Sequence, residues 1–126
     1  MTFKVIIPAR YDSSRLPGKP LIEIAGIPMI IHVARKARLS GAEEVIVATD
    51  DRRIQDEVEK HNFEAVLTSK HHLSGSDRIL EVATTKSWDS DTIIINVQGD
   101  EPMMDPQLIN ELHEQMIKTK ATFITA

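Results

Sequence analysis

Short β-branched runs alternate with amphipathic stretches along the whole of this 126-residue chain, and that alternation constrains its fold more than any other feature. Phe3 to Ile7, Glu44 to Thr49, Ala65 to Thr68, Thr92 to Val97 and Ala121 to Ala126 read as strands. Strands separated by helical stretches predict an α/β fold: a doubly wound, mostly parallel sheet with right-handed crossovers. Thr-Ile-Ile-Ile-Asn-Val, over 92–97, is the most apolar run and reads as buried on both faces. Asn96 within it then needs a hydrogen-bonding partner.

The helical stretches carry their own punctuation. Pro28 is placed to open a helix, because its missing N–H costs nothing at the first helical position. Ile30, Val33, Ala34 and Ala37 form one apolar face of it, and Gly41 reads as its C′ stop. Arg35, Lys36 and Arg38 fall largely on its wet side. Asp51 is placed to cap a second helix reaching Lys60, with Ile54 and Val58 a turn apart on its inner side. Asp50 and Asp51 look like a metal pair, but capping and the helix dipole account for them as well. A third helix turns Ile79, Leu80, Val82 and Ala83 inward. Asp105-Pro106 starts another, with Ile109, Leu112 and Met116 on a shared face.

The candidate chemistry lies in the loops. The first strand stops at Pro8, which lacks a backbone donor. Beyond it come three cations, Arg10, Arg15 and Lys19, and two hydroxyls, Ser13 and Ser14. Ligands of such sheets sit outside the carboxyl ends of the strands, and guanidinium forks match phosphate oxygens. A polyphosphate would therefore be held here, although a solvated basic loop accounts for the charges alone. Neither common phosphate loop is present. A P-loop would put glycine where Ser13 stands and Ser or Thr where Pro20 stands, and G-x-G-x-x-G is absent. In the loop ending at Arg78, Ser74 or Ser76 caps the next helix or, alternatively, closes over a base or ribose. His71-His72 read as loop residues, since neighbouring side chains diverge and a zinc site wants more ligands. Gln98-Gly99-Asp100-Glu101-Pro102 follows the most apolar strand and, taken alone, is a turn. The sheet topology gathers Arg10, Arg15, Lys19, Ser74 and Asp100 on one edge.

Composition narrows the class. The length suits one domain with a real core. A net charge of −4 without a large basic face argues against nucleic-acid binding. The chain has no cysteine, hence no disulfide framework or thiolate metal site. No signal segment opens it and no apolar run approaches the roughly 20 residues of a spanning helix. A cytoplasmic, non-membrane protein is expected.

Ile7-Pro8-Ala9-Arg10, Ser14-Arg15-Leu16-Pro17-Gly18-Lys19-Pro20, Ser74-Gly75-Ser76-Asp77-Arg78 and Gln98-Gly99-Asp100-Glu101-Pro102 together resemble the 3-deoxy-manno-octulosonate (Kdo) cytidylyltransferases, the CMP-Kdo synthetases of lipopolysaccharide assembly. The resemblance runs over all of 1–126 but to the N-terminal half of that family only, so it implies a truncated Rossmann-like nucleotidyltransferase fold. It implies CTP and Kdo as substrates, CMP-Kdo and pyrophosphate as products, Mg²⁺ as cofactor and a homodimer at full length. Arg10, Arg15, Lys19 and Asp100 carry over as catalytic residues, with Asp100 the metal ligand. Ala9, Arg10, Ser14, Ser74, Arg78 and Gln98 carry over to nucleotide binding. A second metal-binding aspartate and most sugar contacts would lie past Ala126, so these residues alone are expected not to turn over. Sialate synthetases share Ile-Pro-Ala-Arg without the Arg-Leu-Pro-Gly-Lys-Pro run. An enzyme for 8-amino-Kdo would look the same here, and a non-catalytic nucleotide-binding fragment is the reading from another class.

Overall fold

The computed structural model describes residues 3–11, 17–69, 75–88, 91–97, 106–111 and 123–125. Its main sheet has five strands: β1 (Lys4–Ala9), β4 (Glu44–Thr49), β5 (Glu64–Leu67), β6 (Ile94–Asn96) and β7 (Phe123–Thr125). They lie in the order β5-β4-β1-β6-β7, and every neighbouring pair is parallel. The chain grows outward from β1 in one direction, then returns to its other side to place β6. The strand order therefore reverses between β1 and β6, which is where α/β sheets open a crevice at their carboxyl ends.

The two faces divide as strand alternation requires. Val5, Ile7 and Ala9 of β1, Val47 of β4 and Ile95 of β6 face one core, together with α1 (Met29–Arg38), α2 (Arg52–Lys60) and Ile109 of a helix over 106–111. Ile6, Ile46, Ala48 and Ile94 face the other, covered by Ile79 and Val82 of α3 (Gly75–Thr85). Helices on both faces make the sheet doubly wound. Residues 93–97 are all buried, as the apolar run predicts.

Several local expectations shift. Pro8 does not end β1; it pairs in register with Ala48, and Ala9 with Thr49. The N–H of Lys4 donates to the carbonyl of Ile93, and that of Val97 to the carbonyl of Ile6, so even-numbered residues of β1 turn their backbone groups toward β6. The missing donor of Pro8 falls on that side, beyond the end of β6, and the ladder to β4 stays intact. Leu80 points outward rather than inward, 63% exposed. Ile79, Val82 and Ala83 form the inner stripe at helical spacing, and Leu80 lies off it. β5 starts at Glu64, one residue earlier than expected. Pro28 is the N-cap of α1 rather than its first residue. Gly41 is not a left-handed stop: α1 closes at Leu39 in a right-handed conformation, with the Ser40 hydroxyl on the Ala37 carbonyl. Gly41 instead donates its N–H to Asn110 Oδ1 at 2.8 Å, anchoring the helix over 106–111. Leu112 and Met116 lie outside the described residues.

A small antiparallel hairpin, β2 (Glu23–Ile24) and β3 (Ile27–Pro28), was not foreseen. Ala25 and Gly26 make its turn at φ 54° and 79°, both left-handed, as a two-residue hairpin demands. An alanine there costs roughly 1–2 kcal/mol. His32 Nε2 bonds the Ile24 carbonyl at 2.7 Å and ties the hairpin to α1.

Candidate functional site

The carboxyl end of β1 places the first candidates. Ala9 is buried as the last residue of the strand, and Arg10 follows it directly and is exposed. The loop then begins at Tyr11 and is closed at its far end by Gly18, whose N–H donates to the Tyr11 carbonyl at 2.6 Å. Gly18 has φ 75°, and a Cβ on it would stand 3.0 Å from the Tyr11 ring, so glycine is needed twice over. Lys19 and buried Pro20 open a 3-10 turn, Lys19–Leu21, beneath the loop. This holds Lys19 on a rigid element one residue beyond the loop's neck.

Arg78 comes to the same edge from the other side. It lies in the first turns of α3 and is only 1% exposed, the largest fully buried side chain among the described residues. One Nη atom donates to the Thr68 hydroxyl just beyond β5, and the other lies 3.5 Å from an Asp50 carboxylate oxygen just beyond β4. Burial pulls the Arg78 pKa down, Asp50 pulls it back up, and the charge of Arg10 lowers it again. Arg10, just past β1, and Arg78, anchored just past β4 and β5, thus share the carboxyl edge of the sheet. Glu81, whose carboxylate takes the Ser69 N–H at 3.1 Å, acts on Arg78 alongside Asp50, so around Arg78 this edge holds two guanidiniums and two carboxylates among the described residues.

The two adjacent aspartates have different tasks. Asp51 caps α2 through the Arg53 N–H at 2.8 Å and takes the Arg53 guanidinium on both oxygens, at 3.0 and 2.7 Å. Those Arg53 bonds hold its carboxyl below the usual range against the opposing effect of burial. Asp50 serves Arg78. The pairing of Asp50 and Thr68 with Arg78 was missed in the sequence. An acid at a strand end and an arginine at a helix start were its only local signals. Asn96 remains a buried carboxamide whose Oδ1 has no hydrogen-bond partner among the described residues.

Of the sequence candidates, Ala9, Arg10, Lys19 and Arg78 are described, and all four lie at the carboxyl edge of the sheet. Ser14, Arg15, Ser74, Gln98 and Asp100, with His71 and His72, lie outside the described residues. Among the described residues no three His, Cys, Asp or Glu gather as a metal site, and no helix is long and apolar enough to cross a membrane.

Residues 4–125 match the cytidylyltransferase family. Over 116 residues the chain is 56% identical to the 3-deoxy-manno-octulosonate cytidylyltransferase of Nitrosococcus oceani and 54% identical to that of Thioalkalivibrio sulfidiphilus. These alignments cover 92% of this chain but 45% and 46% of the relatives, so the chain spans about half the length of the curated proteins it matches. A CMP:2-keto-3-deoxy-manno-octonic acid synthetase complexed with CTP superposes with TM-score 0.87 at 45% identity, over 96% of this chain and 49% of that one. A cytidylyltransferase from Leptospira borgpetersenii reaches TM-score 0.79 at 25% identity, covering 96% and 51%. A nucleotidyl transferase from Methanothermobacter thermautotroptrophicus, at 20% identity and TM-score 0.73 over 90% and 57%, shares the fold.

Proposed function

The chain belongs to the cytidylyltransferase family, and from that membership we propose that residues 1–126 are the nucleotide-binding half of a CMP-Kdo synthetase. Its full-length form would act in the cytoplasm, as a homodimer, in lipopolysaccharide biosynthesis. The observation that carries this reading is the placing of two cations at the strand-order reversal: Arg10 directly after β1, and the buried Arg78 anchored at the ends of β4 and β5. A CTP-complexed synthetase of nearly the same chain trace supports the choice of nucleotide.

In this reading the anomeric 2-hydroxyl oxygen of Kdo attacks the α-phosphorus of CTP in line. A new O–P bond forms as the α–β bridging bond breaks, pyrophosphate leaves with the electron pair, and the hydroxyl proton passes to solvent. The residues bind, orient and offset charge. Arg15 and Lys19 hold the β- and γ-phosphates and stabilise the charge gathering on the leaving group. Ala9, through its backbone, and Arg10 meet the nucleotide at the end of β1. Ser74 and Gln98 read the base and ribose, Arg78 serves the nucleotide from its buried place by fixing the strand ends after β4 and β5, and Ser14 holds the loop to the phosphates. Backbone carbonyls there favour the 4-amino group of cytosine over the 4-oxo group of uracil.

Asp50 and Asp51 are each paired with a guanidinium; the family resemblance assigns the cation to Asp100, four residues beyond Asn96. Mg²⁺ held by Asp100 would lend positive charge to the phosphate oxygens. The test is a titration of CTP and UTP into the full-length form with Mg²⁺, followed by a pyrophosphate-release assay with Kdo, 8-amino-Kdo and sialate. Preference for CTP and release with Kdo are expected. Equal binding of UTP, or binding without release, would remove the reading.

A further inference from the structure

The loop between Tyr11 and Gly18 is held from outside by a side chain with no assigned role. The Arg53 guanidinium carbon lies 3.5 Å from the centre of the Tyr11 ring. Its Nε and Nη2 are forked onto the two oxygens of Asp51, at 3.0 and 2.7 Å. The Arg53 N–H caps onto the same carboxylate, so its backbone and its side chain are both fixed to the start of α2. The same tyrosine accepts the Gly18 N–H on its carbonyl, and its ring edge is the atom group that a Cβ on Gly18 would strike. Tyr11 is therefore the point where both ends of the loop and the α2 N-terminus meet.

We propose that Arg53 is a positioning residue for the neck of this loop: stacked on Tyr11 and braced by Asp51, it fixes Tyr11 against Gly18 and so the placement of Lys19 on phosphate. The inference rests on the proposed binding of CTP. A planar guanidinium can lie flat on a ring while one of its edges, Nε and Nη2, is bonded to a carboxylate. Lysine can pair with Asp51 but cannot make that flat contact. Arg53 stays largely exposed, with 61% of its side chain in water, so its contribution to global stability is small. Its effect is local, on a loop whose function depends on placement.

The experiment compares CTP and CMP binding by calorimetry in the full-length form, with Arg53→Ala, Arg53→Lys, Tyr11→Phe and Tyr11→Leu. Arg53→Ala and Arg53→Lys should each raise the Kd for CTP about fivefold, the scale of an exposed cation–π contact. The Kd for CMP, which lacks the two outer phosphates, should not move. Tyr11→Phe keeps the ring and should match wild type. Arg53→Ala added to Tyr11→Leu should cost nothing further, because both remove one contact. Unchanged CTP affinity in Arg53→Lys, or equal losses for CTP and CMP, would overturn the proposal. A wild-type protein that binds no CTP would overturn the cytidylyltransferase reading itself, and the inference with it.

Discussion

The two edges of the same sheet handle charge in different ways. At the amino edge, Lys4 meets Glu43 and Glu44 at 2.6 and 2.8 Å, and Lys86 meets Glu64 and Glu44 at 2.6 and 3.5 Å. Lys4 also stands 5.6 Å from the Trp88 ring centre. These pairs lace together the starts of β1, β4 and β5 with the end of α3. At the carboxyl edge, among the described residues, Asp50 pairs with Arg78 and Asp51 with Arg53, while Arg10 follows β1 on the same edge. One edge neutralises itself and closes the sheet. The other sets guanidiniums at the strand-order reversal, Arg78 anchored by Asp50 and Arg10 directly after β1, where the proposed triphosphate would lie.

The largest expected effect separates having that edge from having an enzyme. Residues 1–126 alone should bind CTP weakly with Mg²⁺ and release no measurable pyrophosphate, because in the proposed reading the nucleophile is oriented by residues beyond this span. Turnover comparable to the full-length form would break the comparison at once. Within the full-length form, Asp100→Asn and Lys19→Ala should each lower kcat by about 10²-fold or more, the range for losing one charge-stabilising group. Thermal stability should barely change. Wild-type turnover in either variant would strike that residue from the mechanism.

Next comes the anchor. Arg78→Leu leaves Asp50 beside an apolar wall and should cost about 3 kcal/mol of stability, as for one partner removed from a buried pair. Nucleotide affinity should fall with it, and denaturant unfolding alongside CTP titration checks both. By contrast Lys86→Ala should cost only about 0.2–1 kcal/mol, as for partly exposed ion pairs, and leave CTP binding unaltered. A larger affinity loss for Lys86→Ala than for Arg78→Leu would invert the roles of the two edges.

The smallest effect is a pH signature of the amino edge. Burial pulls Lys4 down, but its bonds to Glu43 and Glu44 outweigh this and leave its pKa above 10.5. The Glu64 bond raises Lys86 likewise, against burial. Their contribution to stability is full below pH 10.5 and is lost as the pH climbs through the raised values. Glu44 is held below 4.5 mainly by its bond to Lys4, with burial opposing. Its contribution is full above pH 4.5 and is lost as the pH drops through the lowered value. Thermal melts across pH should show both limbs, and Lys86→Ala should flatten the alkaline one.

The sheet was legible because hydrophobic periodicity is local: the run over 92–97 and the stripe Ile30, Val33, Ala34 and Ala37 announce what they bury. What was missed depends on neighbours. Whether Pro8 ends a strand depends on which side its nitrogen faces, and β6 stops short on that side. Leu80 was misassigned because an apolar residue in a helix need not lie on the inner stripe. The hairpin at Ala25-Gly26 is too short for alternation to register, and its alanine hides a left-handed turn. In the site, the loop cations were visible as motifs. The bracing of Arg78 by Asp50 and Thr68 was not, since those residues come from three separate elements and meet only in the folded sheet.

The account stands on the carboxyl edge being the triphosphate site, and backbone amide chemical shifts read that most directly. Titrating CTP with Mg²⁺ into the isotope-labelled full-length form should shift Ala9, Arg10, Gly18, Lys19 and Arg78. Lys4, Glu44, Glu64 and Lys86 should stay in place. Shifts confined to the amino edge, or an unmoved Arg10 and Lys19 at saturating CTP, would contradict it.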